Sequence, residues 1–101
     1  MSATIYDMLS NRLGSVDHDG TIYDSTGTRI GKVDNEHWVY DVRGENVGHI
    51  DSYGWIYDNH SVNVGKLDND IWVNDSMGQI VAKVDGSPRR MAAATYLLLL
   101  R

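Results

Sequence analysis

A single 17-residue unit repeats five times through this chain without an insertion or deletion, and few folds accommodate such a sequence. Ile5, Ile22, Val39, Ile56 and Val73 stand 17 apart, as do Asp7, Asp24, Asp41, Asp58 and Asp75, and again Asp17, Asp34, Asp51, Asp68 and Asp85. A unit this short cannot bury its own apolar face, so neighbouring copies must pack together and share one core.

Each repeat reads as a hairpin. In Trp38-Val39-Tyr40-Asp41 through Val47-Gly48-His49-Ile50-Asp51, short runs of β-branched and aromatic residues are bounded by Asp and Gly, the mark of strands closed by turns. The spacing Asp-x-x-Gly places Asp first and Gly fourth in a type I turn. It occurs inside repeats, as in Asp24-Ser25-Thr26-Gly27 and Asp41-Val42-Arg43-Gly44, and between them, as in Asp17-His18-Asp19-Gly20 and Asp51-Ser52-Tyr53-Gly54. Two turns per repeat predict a meander of ten strands, near 4–7, 12–17, 21–24, 29–34, 38–41, 46–51, 55–58, 63–68, 72–75 and 80–85. The expected class is therefore all-β, a ring, barrel or sandwich. A four-strand propeller blade needs about twice this repeat length. Between an open strip and a closed ring, closure is preferred because it removes the edges that invite aggregation.

Three aliphatic columns form the predicted core: the Ile5 column, then Leu13, Ile30, Val47, Val64 and Val81, then Val16, Val33, Ile50, Leu67 and Val84. The last two columns lie three residues apart, which on a regular strand means opposite faces. A bulge at the intervening glycines, or burial on both faces, reconciles them. Those glycines, Gly14, Gly31, Gly48 and Gly65, with Ala82 in the last copy, sit mid-strand, where glycine signals close approach of neighbouring backbone.

The grammar of residues 22–34, Ile-Tyr-Asp-x-x-Gly-x-x-Ile-Gly-x-Val-Asp, resembles the repeats of the β-flower proteins, and with five copies the chain is similar to the five-fold version over residues 4–86. YD repeats and PRC-barrels use a related hairpin, and this chain departs from the flower pattern at Ser10, Ser61 and Asn74. The resemblance implies hairpins set like petals around an axis. It implies no activity.

The repeat domain is expected to end at residue 86, and residues 87–101 read as a separate apolar helix. Ser87 is the expected N-cap, Pro88 opens the first turn, and Arg101 suits the C-terminal end of the dipole. The apolar stretch Met91–Leu100 has 10 residues, half of the roughly 20 that span a bilayer. Four consecutive leucines put apolar surface on every side, so the helix must be covered. Two dockings are open, a cap on the chain's own ring or packing against a second subunit. The second is preferred because a five-hairpin ring offers a small mouth, which makes Tyr96, Leu97, Leu98, Leu99 and Leu100 the expected interface of a homo-oligomer.

Of 14 acidic residues, 10 lie in the two Asp columns, so the net charge of −5 belongs to repeated turns. With only nine Lys and Arg the composition argues against nucleic acid, whose phosphates need a clustered basic surface. No cysteine is present, which excludes thiolate zinc sites and thiol catalysis. No charged and apolar leader opens the chain, and a cytoplasmic location is the expectation.

Three groups of residues merit weighing as sites. Trp38, Trp55 and Trp72 share a column, with Tyr40, Tyr57 and Asn74 two residues on and on the same strand face. Such a row either stacks sugars or covers a core or protein interface. Ser15, Lys32, His49, Lys66 and Lys83 form a second column, which in a ring is either a basic circle holding an anion at the axis or a set of inert pairs with the Asp column two residues on. Asp17-His18-Asp19 and Asp68-Asn69-Asp70 are oxygen-rich, and Asp58, His60 and Ser61 have the residue types of a hydrolase triad. The first two lack the bidentate Glu of a calcium loop, and neighbours in one turn cannot adopt triad geometry. No catalytic residue, metal site or cofactor is expected. The expected role is self-association or binding of a protein partner, with glycan or anion binding by the Trp and Lys columns as the alternative.

Overall fold

The computed structural model describes residues 2–35 and 37–101. Its strands are β1 (Ser2–Asp7), β2 (Arg12–Asp17), β3 (Thr21–Asp24), β4 (Arg29–Asp34), β5 (Trp38–Asp41), β6 (Asn46–Ile50), β7 (Trp55–Asp58), β8 (Asn63–Asp68), β9 (Trp72–Asp75) and β10 (Ile80–Gly86). Each pairs antiparallel with its sequence neighbours, and β10 pairs with β1 from Ala3 opposite Gly86 to Asp7 opposite Ala82. The ring is closed, and its ten strands fall where the turn spacing places them.

Turn chemistry sets the hairpins. In every repeat the first-column Asp carbonyl accepts the N–H three residues on, as from Gly27 to Asp24 at 3.2 Å and from Gly44 to Asp41 at 3.0 Å. The same Asp's Oδ1 accepts the N–H groups two and four residues on, for example Thr26 at 2.9 Å and Thr28 at 3.0 Å at Asp24. The fourth residue is left-handed, φ 85° at Gly27 and 83° at Gly44, and Ser10 and Ser61 adopt it too at 68° and 64°. Serine there carries the steric cost that glycine avoids.

A bulge recurs in all five hairpins, and it falls on the residue before the glycine, not on the glycine itself. Ile5 faces Gly14 while Tyr6 faces Arg12, which leaves Leu13 unpaired. Ile30, Val47, Val64 and Val81 are skipped in the same way. This extra residue brings two columns three apart onto the inner side: Val16, Ile50, Leu67 and Val84 are buried, and the bulged residues pack half-buried against them.

The tail fills the barrel. α1 (Arg89–Thr95) touches β1, β2, β5, β6, β8 and β10, and Met91, Ala92, Ala93, Ala94 and Thr95 are fully buried. A π-helical turn follows over Tyr96–Leu100, closed by the Arg101 N–H on the Tyr96 carbonyl at 2.8 Å. Tyr96–Leu100 pack against the chain's own core, with Leu97 buried and Tyr96, Leu98, Leu99 and Leu100 half-buried. A Cβ added at Gly14 would stand 3.1 Å from Leu100 Cδ1, one at Gly31 3.2 Å from Leu99 Cδ1, one at Gly48 2.8 Å from Leu98 and one at Gly65 2.7 Å from Leu97. The nearer obstacle at each glycine is a carbonyl oxygen of the next hairpin, of Tyr23, Tyr40, Tyr57 and Asn74 in turn, with one tail leucine just beyond it. The mouth is wide enough because four wall positions carry no side chain.

The helix type follows from the symmetry of the wall. An α-helix advances about 100° per residue, whereas the wider i→i+5 turn advances about 80°, closer to the fifth of a circle, about 72°, that separates neighbouring hairpins. Consecutive residues can then meet consecutive petals. The start of α1 also differs from expectation. Pro88, not Ser87, is the N-cap, and no side chain caps it; the Arg89 guanidinium instead donates to the Gly86 carbonyl at 3.0 Å.

Two outcomes test this packing. Gly48→Val sets a side chain against the Tyr57 carbonyl and Leu98 and is expected to cost about 3 kcal/mol, whereas substitution of exposed Glu45 costs under about 0.5 kcal/mol; urea unfolding measures both, and equal tolerance would remove the case for close approach. The turns predict the acid response. The Asp24 carboxyl is held below its ordinary value of 3.8 by the Thr26 hydroxyl and then the Thr28 N–H, and Asp7, Asp58 and Asp75 are lowered chiefly by Asn11, Val62 and Gln79. A carboxyl depressed on folding adds stability above its unfolded value that is lost as pH falls through the folded one. Unfolding midpoints should stay level from neutral pH to about 5 and drop below about 4, with Asp24→Asn less stable at pH 7 and shallower in that acid limb.

Candidate functional site

Strand alternation turns one set of columns inward and the other out. Ile5, Ile22, Val39, Ile56 and Val73 are fully buried, so the residues on either side of each form a belt on the outer wall. At each junction a cation-column residue lies between the first residue of its own hairpin and the Tyr column of the next. The register reads Thr4, Ser15, Tyr23; Thr21, Lys32, Tyr40; Trp38, His49, Tyr57; Trp55, Lys66, Asn74; and Trp72, Lys83, Tyr6.

Within the belt the cations lie over rings. Lys32 Nζ is 5.8 Å from the Tyr40 centroid, Lys66 Nζ 5.0 Å from Trp55 and Lys83 Nζ 5.6 Å from Tyr6, distances at which the ring quadrupole attracts an ammonium. His49 takes the same place between Trp38 at 5.2 Å and Tyr57 at 5.2 Å, stacked on the latter. His37, which the sequence did not single out, adds an edge-on contact with Trp38 at 4.5 Å. Its signal was the loss of the inter-repeat turn glycine at that column. Trp38 and Trp55 remain 37% and 41% exposed, and Trp72, Tyr40 and Tyr57 are half-buried.

This geometry corrects both readings of the Lys column. The column faces outward and the axis is filled by Met91–Thr95, so it cannot ring an axial anion. Nor does it pair with Asp: the ion pair found among the described residues joins Arg101 to Asp75 at 3.5 Å. Cross-strand aromatic rings stand directly opposite the lysines, and many Asp carboxylates are taken by backbone N–H groups, Asp51 by Tyr53 and Trp55 for instance.

Other polar groups resolve into turn chemistry. Asp58 Oδ1 accepts the His60 N–H at 2.8 Å and the Val62 N–H at 3.0 Å, so it closes a turn and does not orient an imidazole. Asp19 Oδ1 accepts the Thr21 N–H at 3.0 Å, and Asn69 and Asp70 are left-handed turn residues. Among the described residues, no three His, Asp or Glu side chains are placed to hold a metal ion, and no helix is long and apolar enough to cross a membrane.

One junction is incomplete. Where four junctions carry Tyr, the fourth carries Asn74 opposite Lys66. A cleft of about 180 Å³ opens there, lined by Trp55, Lys66, Asn74, Asp75, Ser76 and Gly78. The sequence marked Asn74 only as a departure from the repeat, since side-chain length alone does not show whether a gap stays open.

No curated protein and no solved structure compared with the chain matches it. A family model described as a 5-fold beta-flower protein matches residues 1–100. That match spans the five hairpins together with the tail that fills them, and the chain belongs to the 5-fold β-flower family.

Proposed function

We propose that the protein is a cytoplasmic, non-enzymatic binding module that associates with itself or with a protein partner through its outer aromatic belt. One observation carries this reading: Trp38 and Trp55 stay more than a third exposed on paired strands while the tail packs against the chain's own core. Large aromatic side chains held without conformational freedom are the usual anchors of protein interfaces. The belt is then the contact surface.

Glycan or anion binding is the second reading, favoured by the cleft between Trp55 and Lys66. Sedimentation velocity over a range of micromolar concentrations separates the two. The full chain is expected to show mass above the monomer, and the double variant Trp38→Ser, Trp55→Ser to sediment as a monomer with its melting temperature within about 3 °C of the parent. A monomer at every concentration removes self-association. A saturable tryptophan-fluorescence response to soluble glycans, lost in Trp55→Ala, would in that case favour the second reading.

A further inference from the structure

The belt repeats one arrangement around the barrel, and its own symmetry states what each position holds. Opposite the cation-column residue, on the neighbouring strand, stands a phenol ring at four of five junctions: Tyr23, Tyr40, Tyr57 and Tyr6. Where the first hairpin residue is also aromatic, the register sets the central residue between two ring-bearing positions. Trp38, His49 and Tyr57 show this complete, with centroid spacings of 5.2 Å on both sides of the imidazole. At Trp55, Lys66 and Asn74 the first ring and the cation are in place and the second ring is missing.

We propose that this gap is a binding slot for a phenol ring supplied by another molecule. Lys66 Nζ is already held 5.0 Å over Trp55, and a second ring on its open side would complete the sandwich found at His49. Burial of a cation between two rings strengthens its attraction to each. The charge at the slot is suited to this. Asp75 is bound by the Met77 and Gln79 N–H groups through Oδ1 and by Arg101 through Oδ2, so it competes little for Lys66. Asn74 Oδ1 is buried with no hydrogen-bond partner among the described residues. Rotation of that amide toward the cleft would offer an acceptor to a phenolic hydroxyl, and an unsatisfied buried carbonyl oxygen favours such a rotation. The cleft of about 180 Å³ admits a single substituted ring and little more.

The shared chemistry has two sources, a free phenol or a tyrosine side chain displayed by a protein. The tyrosine source rests on the partner-binding reading of the belt, whereas the slot itself does not. The probe is p-cresol, the tyrosine side-chain analogue, titrated against ¹⁵N-labelled full chain by NMR. Saturable shifts are expected at the Asn74 side-chain amide and at the Ser76 and Gly78 N–H groups, with a dissociation constant on the order of 1–10 mM for so small a ligand. Asn74→Tyr restores the repeat's own residue, should fold at least as well, and is expected to abolish the shifts because it fills the slot from within. A five-residue peptide with a central tyrosine, set against the same peptide with alanine, then distinguishes the sources: tighter binding than p-cresol assigns the slot to a displayed tyrosine, equal or weaker binding to a free phenol. Absence of saturable shifts, or equal shifts in Asn74→Tyr, would overturn the slot while leaving self-association through Trp38 and Trp55 untouched.

Discussion

The structure depends on one packing relation, that of the four tail leucines with the glycine column of the wall. Ten strands closed into a ring enclose more volume than five short hairpins can fill with their own side chains. Ile5 and its equivalents fill one level, and the glycines leave another empty. Leu97, Leu98, Leu99 and Leu100 fill that level from the axis, one to a hairpin. The carbonyl oxygens of the next hairpin demand the glycines first, and the tail leucines fill the level those glycines leave open; without the tail that level would be a void. A void on that scale would forfeit both transfer energy and dispersion contacts. The π-helical turn is the backbone's accommodation to the wall's symmetry, since it lets adjacent residues rather than every third or fourth residue face the same level.

Filling the axis has a consequence for function. Closure of the ten strands leaves no strand edge among the described residues, and Met91–Thr95 fill the axis, so the outer wall and the hairpin tips are the surfaces offered for recognition. The tips are committed to closing themselves, because each first-column Asp spends its carboxylate on backbone N–H groups. On the wall, lysine and histidine lie over aromatic rings instead of pairing with acids. That arrangement keeps the cations ordered while leaving ring faces and edges accessible.

Departures from the repeat then stand out against a uniform background. Thr4 and Thr21 thin the belt on the first two hairpins, His37 thickens it on the third, and Asn74 opens it between the fourth and fifth. None of these changes is required by folding, since the hairpins carrying them have the same register and bulge as the rest. Positions released from the fold are where binding specificity can be written.

How much of this was legible in the chain depends on how local the cause is. The strands, their turns and the all-β class follow from the 17-residue period and from Asp-x-x-Gly, because turn geometry is decided by neighbouring residues; closure was only preferred over an open strip, and the pairing of β10 with β1 decided it. Columns three apart left a bulge at the glycines or burial on both faces as alternatives, and cross-strand pairing decided for a bulge, seated at Leu13 rather than Gly14. What tertiary structure alone decided was the place of the tail and the partners of the lysines. The apolar run Met91–Leu100 required burial but named no surface, since a helix apolar on every side fits any apolar wall. Only the closed ring brings glycines 17 residues apart to one level, where four consecutive leucines can meet them.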